Sequence, residues 1–126
     1  MKQEGCKVLV VDDNDLILEL SEDALSDAGY AVIKSKNGVD GLRAVDDINP
    51  DVVLLDIRMP VMDGFMFLKE LRDKNPDYHG KIIILSAEVS EREIIRGLEA
   101  GAHDYQVVEK AFRLSGIADL CRYLSV

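Results

Sequence analysis

The chain has 126 residues, 48% of them apolar, and a formal charge of −9. That length suits one compact domain spanning 1–126, able to bury roughly two-thirds of its unfolded surface. The charge argues against nucleic acid as a direct partner, because phosphate backbones are bound by clustered Lys and Arg, and the sequence has no basic stripe. No segment approaches the roughly 20 consecutive apolar residues of a membrane helix, so no membrane partner is expected. The leader Met1-Lys2-Gln3-Glu4-Gly5 is short and polar, without the features of a secretory signal. The expected setting is the cytoplasm.

From the N-terminus, Val8-Leu9-Val10-Val11 is a continuous β-branched run, the pattern of a strand buried on both faces. Ile17, Leu20, Ala24 and Ala28 then recur at helical spacing, and Gly29 is a stop signal. A weaker strand runs from Tyr30 to Ser35. Val39, Leu42, Val45 and Ile48 form a second helical stripe, closed by Asn49-Pro50. A second buried run, Val52-Val53-Leu54-Leu55, follows. The third helical stripe is Phe65, Leu68 and Leu71, with Asp63 as its N-cap. On that helix Phe65 is expected in the core and Phe67 on the opposite, partly exposed side.

Ile82-Ile83-Ile84-Leu85 is the third buried run, and Ile94, Ile95 and Leu98 follow at helical spacing behind Ser90 as N-cap. A weak strand from Tyr105 to Val108 precedes a last stripe of Ile117, Leu120, Cys121 and Leu124. Strands alternating with helices across short loops imply an α/β domain with a parallel sheet covered on both faces. Cys6 and Cys121 have no metal-ligand spacing and read as small packed thiols, with pairing left open. His79 and His103 read as surface residues, and Met59 and Met62 as packing residues.

The carboxylates carry the chemistry. Asp12 and Asp13 directly follow the first buried run, and Asp56 directly follows Leu55. In open α/β sheets, ligands bind beyond the carboxyl ends of the strands, where strand order reverses. If the two strands are neighbours there, three acids converge at a cost in like-charge repulsion. A hard divalent cation offsets that cost; Mg2+ takes one or two carboxylates, waters and phosphate oxygens. Such a set suits phosphoryl transfer with a carboxylate as nucleophile. Any one of these acids alone would read as a solvated strand terminus.

The segments Val10-Val11-Asp12-Asp13-Asn14, Leu54 through Gly64, Ile84-Leu85-Ser86-Ala87 and Gly101-Ala102-His103-Asp104-Tyr105 resemble the receiver domains of bacterial response regulators. The resemblance covers nearly the whole chain, and the segment from Asp56 to Gly64 is its most specific part. It implies a flavodoxin-like (βα)5 three-layer sandwich with a five-stranded parallel sheet in order 2-1-3-4-5, an order for which receivers are a standard example. It implies Asp56 as phosphoacceptor and Mg2+ as cofactor. Asp13, Asp56 and the backbone carbonyl of Arg58 would ligate the metal, with Asp12 acting through water. Ser86 and the backbone N–H of Ala87 would bind the phosphoryl group, and Ser86 and Tyr105 would form the switch. Gly64 would serve the tight entry to the third helix.

The implied partner is a sensor histidine kinase or a histidine phosphotransfer protein. The implied output face is the fourth helix, fifth strand and fifth helix, through which a homodimer would also form. Such a protein turns over no external substrate.

The sequence departs from the family where a Lys usually stands three residues after the aromatic switch. Val108 and Glu109 occupy that stretch, and Lys110-Ala111-Phe112 follows two residues later. Either Lys110 still reaches the phosphoryl group, which benefits from a cation, or it is an ordinary solvated residue. Without a Pro, the Lys110-Ala111 bond is expected to be trans. Arg58 and Glu88 should rim the site, either paired across its mouth or as two independent exposed charges.

The alternative function is a degenerate receiver that binds partners without phosphorylation. A general phosphohydrolase of the haloacid-dehalogenase type is disfavoured, because Arg58 stands where such enzymes place a second Asp. A flavin-binding protein is disfavoured because acids, rather than a Ser/Thr/Gly phosphate loop, follow the first strand.

Overall fold

The computed structural model describes residues 6–57, 59, 61–86, 91–99 and 104–107. In chain order the elements are β1 (Lys7–Val11), α1 (Asp15–Asp27), β2 (Ala31–Ser35), α2 (Gly38–Ile48), β3 (Val52–Asp56), α3 (Gly64–Lys74), β4 (Lys81–Ser86), α4 (Glu91–Glu99) and β5 (Asp104–Val107). The strands form one parallel sheet in the order β2-β1-β3-β4-β5, as expected. Ser90, His103, Val108 and the expected last helix lie outside the described residues.

Alternation of side chains along each strand divides the core into two layers. Leu9, Val11, Val53, Leu55, Ile82 and Ile84 face α2 and α3, against Val45, Phe67, Leu68 and Leu71. Val8, Val10, Val52, Leu54 and Ile83 face the other way, against Leu18 and Leu25 of α1 and Tyr30. The half-buried Cys6 packs against this second layer.

Helix ends follow local chemistry. Asn14, Asn37 and Asp63 cap α1, α2 and α3, each accepting a bond from a backbone N–H of the first turn. Gly29 ends α1 at φ 98°, with its N–H on the Ser26 carbonyl. Asn49 closes α2 in the left-handed region at φ 52°. At the opposite end of the sheet from the strand C-termini, Lys7 Nζ donates to the Ile48 carbonyl at 3.0 Å. The Tyr78 hydroxyl donates to the Pro50 carbonyl at 2.6 Å. Burial, with the nearby charge of Asp51, raises the Tyr78 hydroxyl above the ordinary tyrosine range, so it stays a neutral donor.

The helix faces differ in places from their apolar spacing. In α1 the buried line is Ile17, Leu18, Ser21 and Leu25, while Leu20, Ala24 and Ala28 are only partly covered. In α2 the inner line is Gly38, Gly41 and Val45, and Val39 is half exposed. A Cβ on Gly41 would stand 2.9 Å from Phe67 Cε1 and 3.1 Å from Val11 Cγ2. Glycine therefore marks the close approach, a face that hydropathy does not register. Phe67, expected to be partly exposed, is fully buried because its ring occupies the space that Gly41 leaves; Phe65 is buried as well. On α4, Ile95 and Leu98 are about half exposed rather than forming a core stripe; the Ile94 side chain is outside the described residues.

Truncating Phe67 opens a cavity against both α2 and the sheet. Phe67→Ala is expected to lower stability by about 3–5 kcal/mol. Urea unfolding should show a reduced midpoint with the slope unchanged.

Candidate functional site

Register brings the acids together. β1 pairs with β3 as far as Val11 opposite Leu55, so one further step sets Asp12 beside Asp56. Carboxylate oxygens of Asp12, Asp13 and Asp56 all lie within 4.8 Å of one another. Asp12 and Asp56 are only 3% and 5% exposed, whereas Asp13 opens to solvent. Two buried anions and one exposed anion thus share a small volume at the C-terminal edge of the sheet.

The first acid is tied down by backbone donors. Asp12 N–H bonds the Ser35 carbonyl at 3.0 Å, which ties the end of β1 to the end of β2. Its Oδ1 accepts the Asn14 N–H at 3.0 Å, while Asn14 Oδ1 accepts the Ile17 N–H at 3.2 Å. The carboxylate therefore sits at the N-terminus of α1, where the helix dipole favours negative charge. Lys36, just past β2, pairs with Asp15 at 2.9 Å across an exposed rim.

The second wall is the connection from β3 to α3. All five residues of β3 are buried, so Asp56 ends a strand with no freedom to turn away. Ile57 and Met59 remain buried, and Met59 N–H bonds the Ile57 carbonyl at 3.3 Å. Gly64 N–H bonds the same carbonyl at 2.9 Å. A Cβ on Gly64 would lie 2.8 Å from the Asp56 carbonyl oxygen and 2.7 Å from Ile57 Cδ1. Only glycine lets the first turn of α3 come this close to the backbone of Asp56. Asp63 then caps the helix through the Met66 N–H at 2.9 Å. Val61 sits at φ 70°, a strained conformation for a β-branched residue, and is 95% exposed. Met62 packs under Gly38 at the start of α2.

Asp56 pairs with Leu85, so Ser86 lies one residue further along the neighbouring strand. Tyr105 lies in β5 opposite Ile84. The side chains of Ser86 and Tyr105 are outside the described residues, as are Arg58, Ala87, Glu88 and Lys110 altogether. The structure thus joins Asp12, Asp13 and Asp56, sets the Ser86 position on the adjacent strand, and sets Tyr105 one strand further out.

Asn14 and Lys36 had no role in the sequence reading. An Asn before an amphipathic stretch is an N-cap signal and could have marked the first. The second required knowing that β2 lies beside β1.

The sequence matches the family model described as "Response regulator receiver domain" over residues 8–122. It is 38% identical over 102 residues to the transcriptional regulatory protein CseB of Streptomyces avermitilis, covering 81% of this chain and 42% of that protein. It is 36% identical over 118 residues to the response regulator MprA of a Mycobacterium species, covering 94% of this chain and 50% of that protein. The chain thus spans about half the length of these relatives or less. Among solved structures, the chemotaxis protein CheY4 of Vibrio cholerae superposes with a TM-score of 0.86 at 30% identity, covering 94% of this chain and 98% of the other. The response regulator TrrA of Thermotoga maritima, solved in complex with Mg(2+)-BeF, gives a TM-score of 0.80 at 33% identity, with the same two coverages.

Crowding of the three acids predicts that removing one charge relieves repulsion. Asp13→Asn is expected to raise stability by about 1 kcal/mol or less given its exposure, and with it the melting temperature, in low-salt buffer with a chelator present. Added salt should shrink the gain. Calorimetry of the two proteins across ionic strengths checks it.

Proposed function

Because this chain belongs to the response regulator receiver domain family, we propose that residues 1–126 form one receiver domain whose Asp56 accepts a phosphoryl group from a phosphohistidine. The donor would be a sensor histidine kinase or a histidine phosphotransfer protein. The observation that carries this reading is the convergence of Asp12, Asp13 and Asp56 oxygens within 4.8 Å at the ends of two adjacent strands.

An all-oxygen, strongly anionic donor set suits a hard divalent cation, and among divalent ions Mg2+ is the usual companion of phosphoryl oxygens. Asp13, Asp56 and the Arg58 carbonyl would hold it directly, and Asp12 through water. When bound, Mg2+ would neutralise negative charge gathering on phosphoryl oxygens. The TrrA relative, solved with Mg(2+)-BeF, supports the same donor class.

The protein's own chemistry is a displacement at phosphorus. An Asp56 carboxylate oxygen attacks in line, a P–O bond forms, and the P–N bond to the donor imidazole breaks. The electron pair returns to the imidazole nitrogen. Water later cleaves the acyl phosphate, regenerating the carboxylate and releasing inorganic phosphate. Burial of Asp56 at the end of a fixed strand holds the nucleophile in place for that attack. Ser86 and the Ala87 N–H would bind phosphoryl oxygens, and Lys110 would supply a cation. Movement of Ser86 toward the phosphoryl group would free space for Tyr105, switching the face of α4, β5 and the last helix. Homodimerisation through that face would follow. Arg58 and Glu88 would pair across the mouth and limit the access of water.

On this reading the protein turns over no external substrate, works in the cytoplasm and does not itself bind nucleic acid. Among the described residues no helix is long and apolar enough to cross a membrane.

Intact-mass analysis after incubation with Mg2+ and a small acyl-phosphate donor tests the reading. Wild type is expected to gain one phosphoryl adduct, Asp56→Asn none, and Lys110→Ala the same adduct more slowly. No adduct on wild type would sink it in favour of a degenerate receiver that binds partners without phosphorylation.

A further inference from the structure

Lys69, Arg72, Arg92 and Arg96 line two adjoining cavities of about 480 and 610 Å³ along α3 and α4, with Asp73 and Glu99 the acids among the described lining residues. In a chain of charge −9, this is a local excess of cations. From α4, Arg92, Ile95, Arg96 and Glu99 recur at i, i+3, i+4 and i+7, so they form one stripe along the groove. Every described side chain of α4 is exposed, and Ile95 and Leu98 are 50% and 45% accessible. The guanidinium of Arg96 lies 4.1 Å from the centre of the Phe65 ring, which fixes one wall against the first turn of α3. On the facing wall Lys69 is held by Asp73 at 2.7 Å and Arg72 donates to the Tyr78 carbonyl at 3.2 Å.

We propose that the groove between α3 and α4 docks an acidic amphipathic helical segment of a partner protein. Its carboxylates would meet Arg92 and Arg96, and an apolar side chain would cover Ile95. Charge complementarity selects this occupant: a basic peptide would be repelled by the four cations that line the groove, and an uncharged one would forgo ion pairing with them. The inference goes beyond phosphoryl acceptance and does not depend on it, because the groove is formed by unphosphorylated protein. Its walls nonetheless leave the two strands that end in Asp56 and Ser86.

The test is an ¹⁵N NMR titration with a synthetic peptide of about 15 residues, near the length at which isolated helices become marginal, with Leu at i, i+3 and i+7 and Glu between. Wild type is expected to bind saturably, with shifts confined to α3 and α4. The double variant Arg92→Glu, Arg96→Glu should weaken binding about tenfold or more. Lys34→Glu, a charge reversal on β2 away from the groove, should bind as wild type does. Absence of saturable binding overturns the proposal, as do shifts centred elsewhere. Equal weakening by Lys34→Glu would overturn it too, since binding would then follow net charge alone. A dimer of this chain that Arg92→Glu abolishes, with the peptide unable to compete, would make a second copy the occupant instead. Circular dichroism of each variant confirms that the comparison is between folded proteins.

Discussion

Three carboxylates held within 4.8 Å of one another, two of them almost without solvent, set the terms for the end of the sheet where they meet. Like charges at such distances repel, and repulsion strengthens as water is withdrawn. The fold cannot relieve this by letting Asp12 or Asp56 swing outward, because Asp12 directly follows the buried run Val8–Val11 and Asp56 ends a strand buried along its length. Relief comes from fixed donors instead. The Asn14 N–H and the start of α1 face Asp12, and the strands on either side hold the backbone still. A cluster so constrained is pre-organised to bind positive charge, since the cost of gathering the acids is met by the core and not by the ligand.

That stiffness has a structural source in the two glycines that bring helices close. Gly41 admits the Phe67 ring and so locks α2 onto α3. Gly64 lets α3 begin in contact with the carbonyl of Asp56. The N-terminal turn of α3 is thus fastened to the candidate phosphoacceptor's own backbone. Fully buried Leu68 and Leu71 anchor the remainder of the helix. The Asp63 cap completes the connection by satisfying a first-turn N–H within a single short loop.

Most of this was legible in the sequence because it rests on patterns that a linear reading detects. Continuous β-branched runs identify strands buried on both faces, and acids directly after two of them identify the site. Asp63, Gly29 and Asn49-Pro50 mark helix ends through local hydrogen bonding and backbone geometry. The departures on α2 and α3 share one cause. Helix faces in this protein are set partly by where glycine permits close approach, and hydropathy gives glycine no weight. Phe67, expected to be partly exposed, is therefore fully buried, and Val39 of the α2 stripe is half exposed. The support given by Lys36 depends on which strands are neighbours, which side-chain pattern alone does not specify, whereas Asn14 carries a local N-cap signal.

The two helices flanking the central strands differ in how they could answer a change at the acids. Phe65, Phe67, Leu68 and Leu71 bury the inner side of α3, so rotating that helix would expose large apolar surfaces at about 25 cal/mol per Å². By contrast, the described side chains of α4 are exposed, and the guanidinium of Arg96 lies over the Phe65 ring. Elements with little buried apolar surface are the ones that shift at low free-energy cost. Charge rearrangement at Asp56 would therefore be resisted by α3, whose first turn lies against the Asp56 carbonyl and whose inner side is buried.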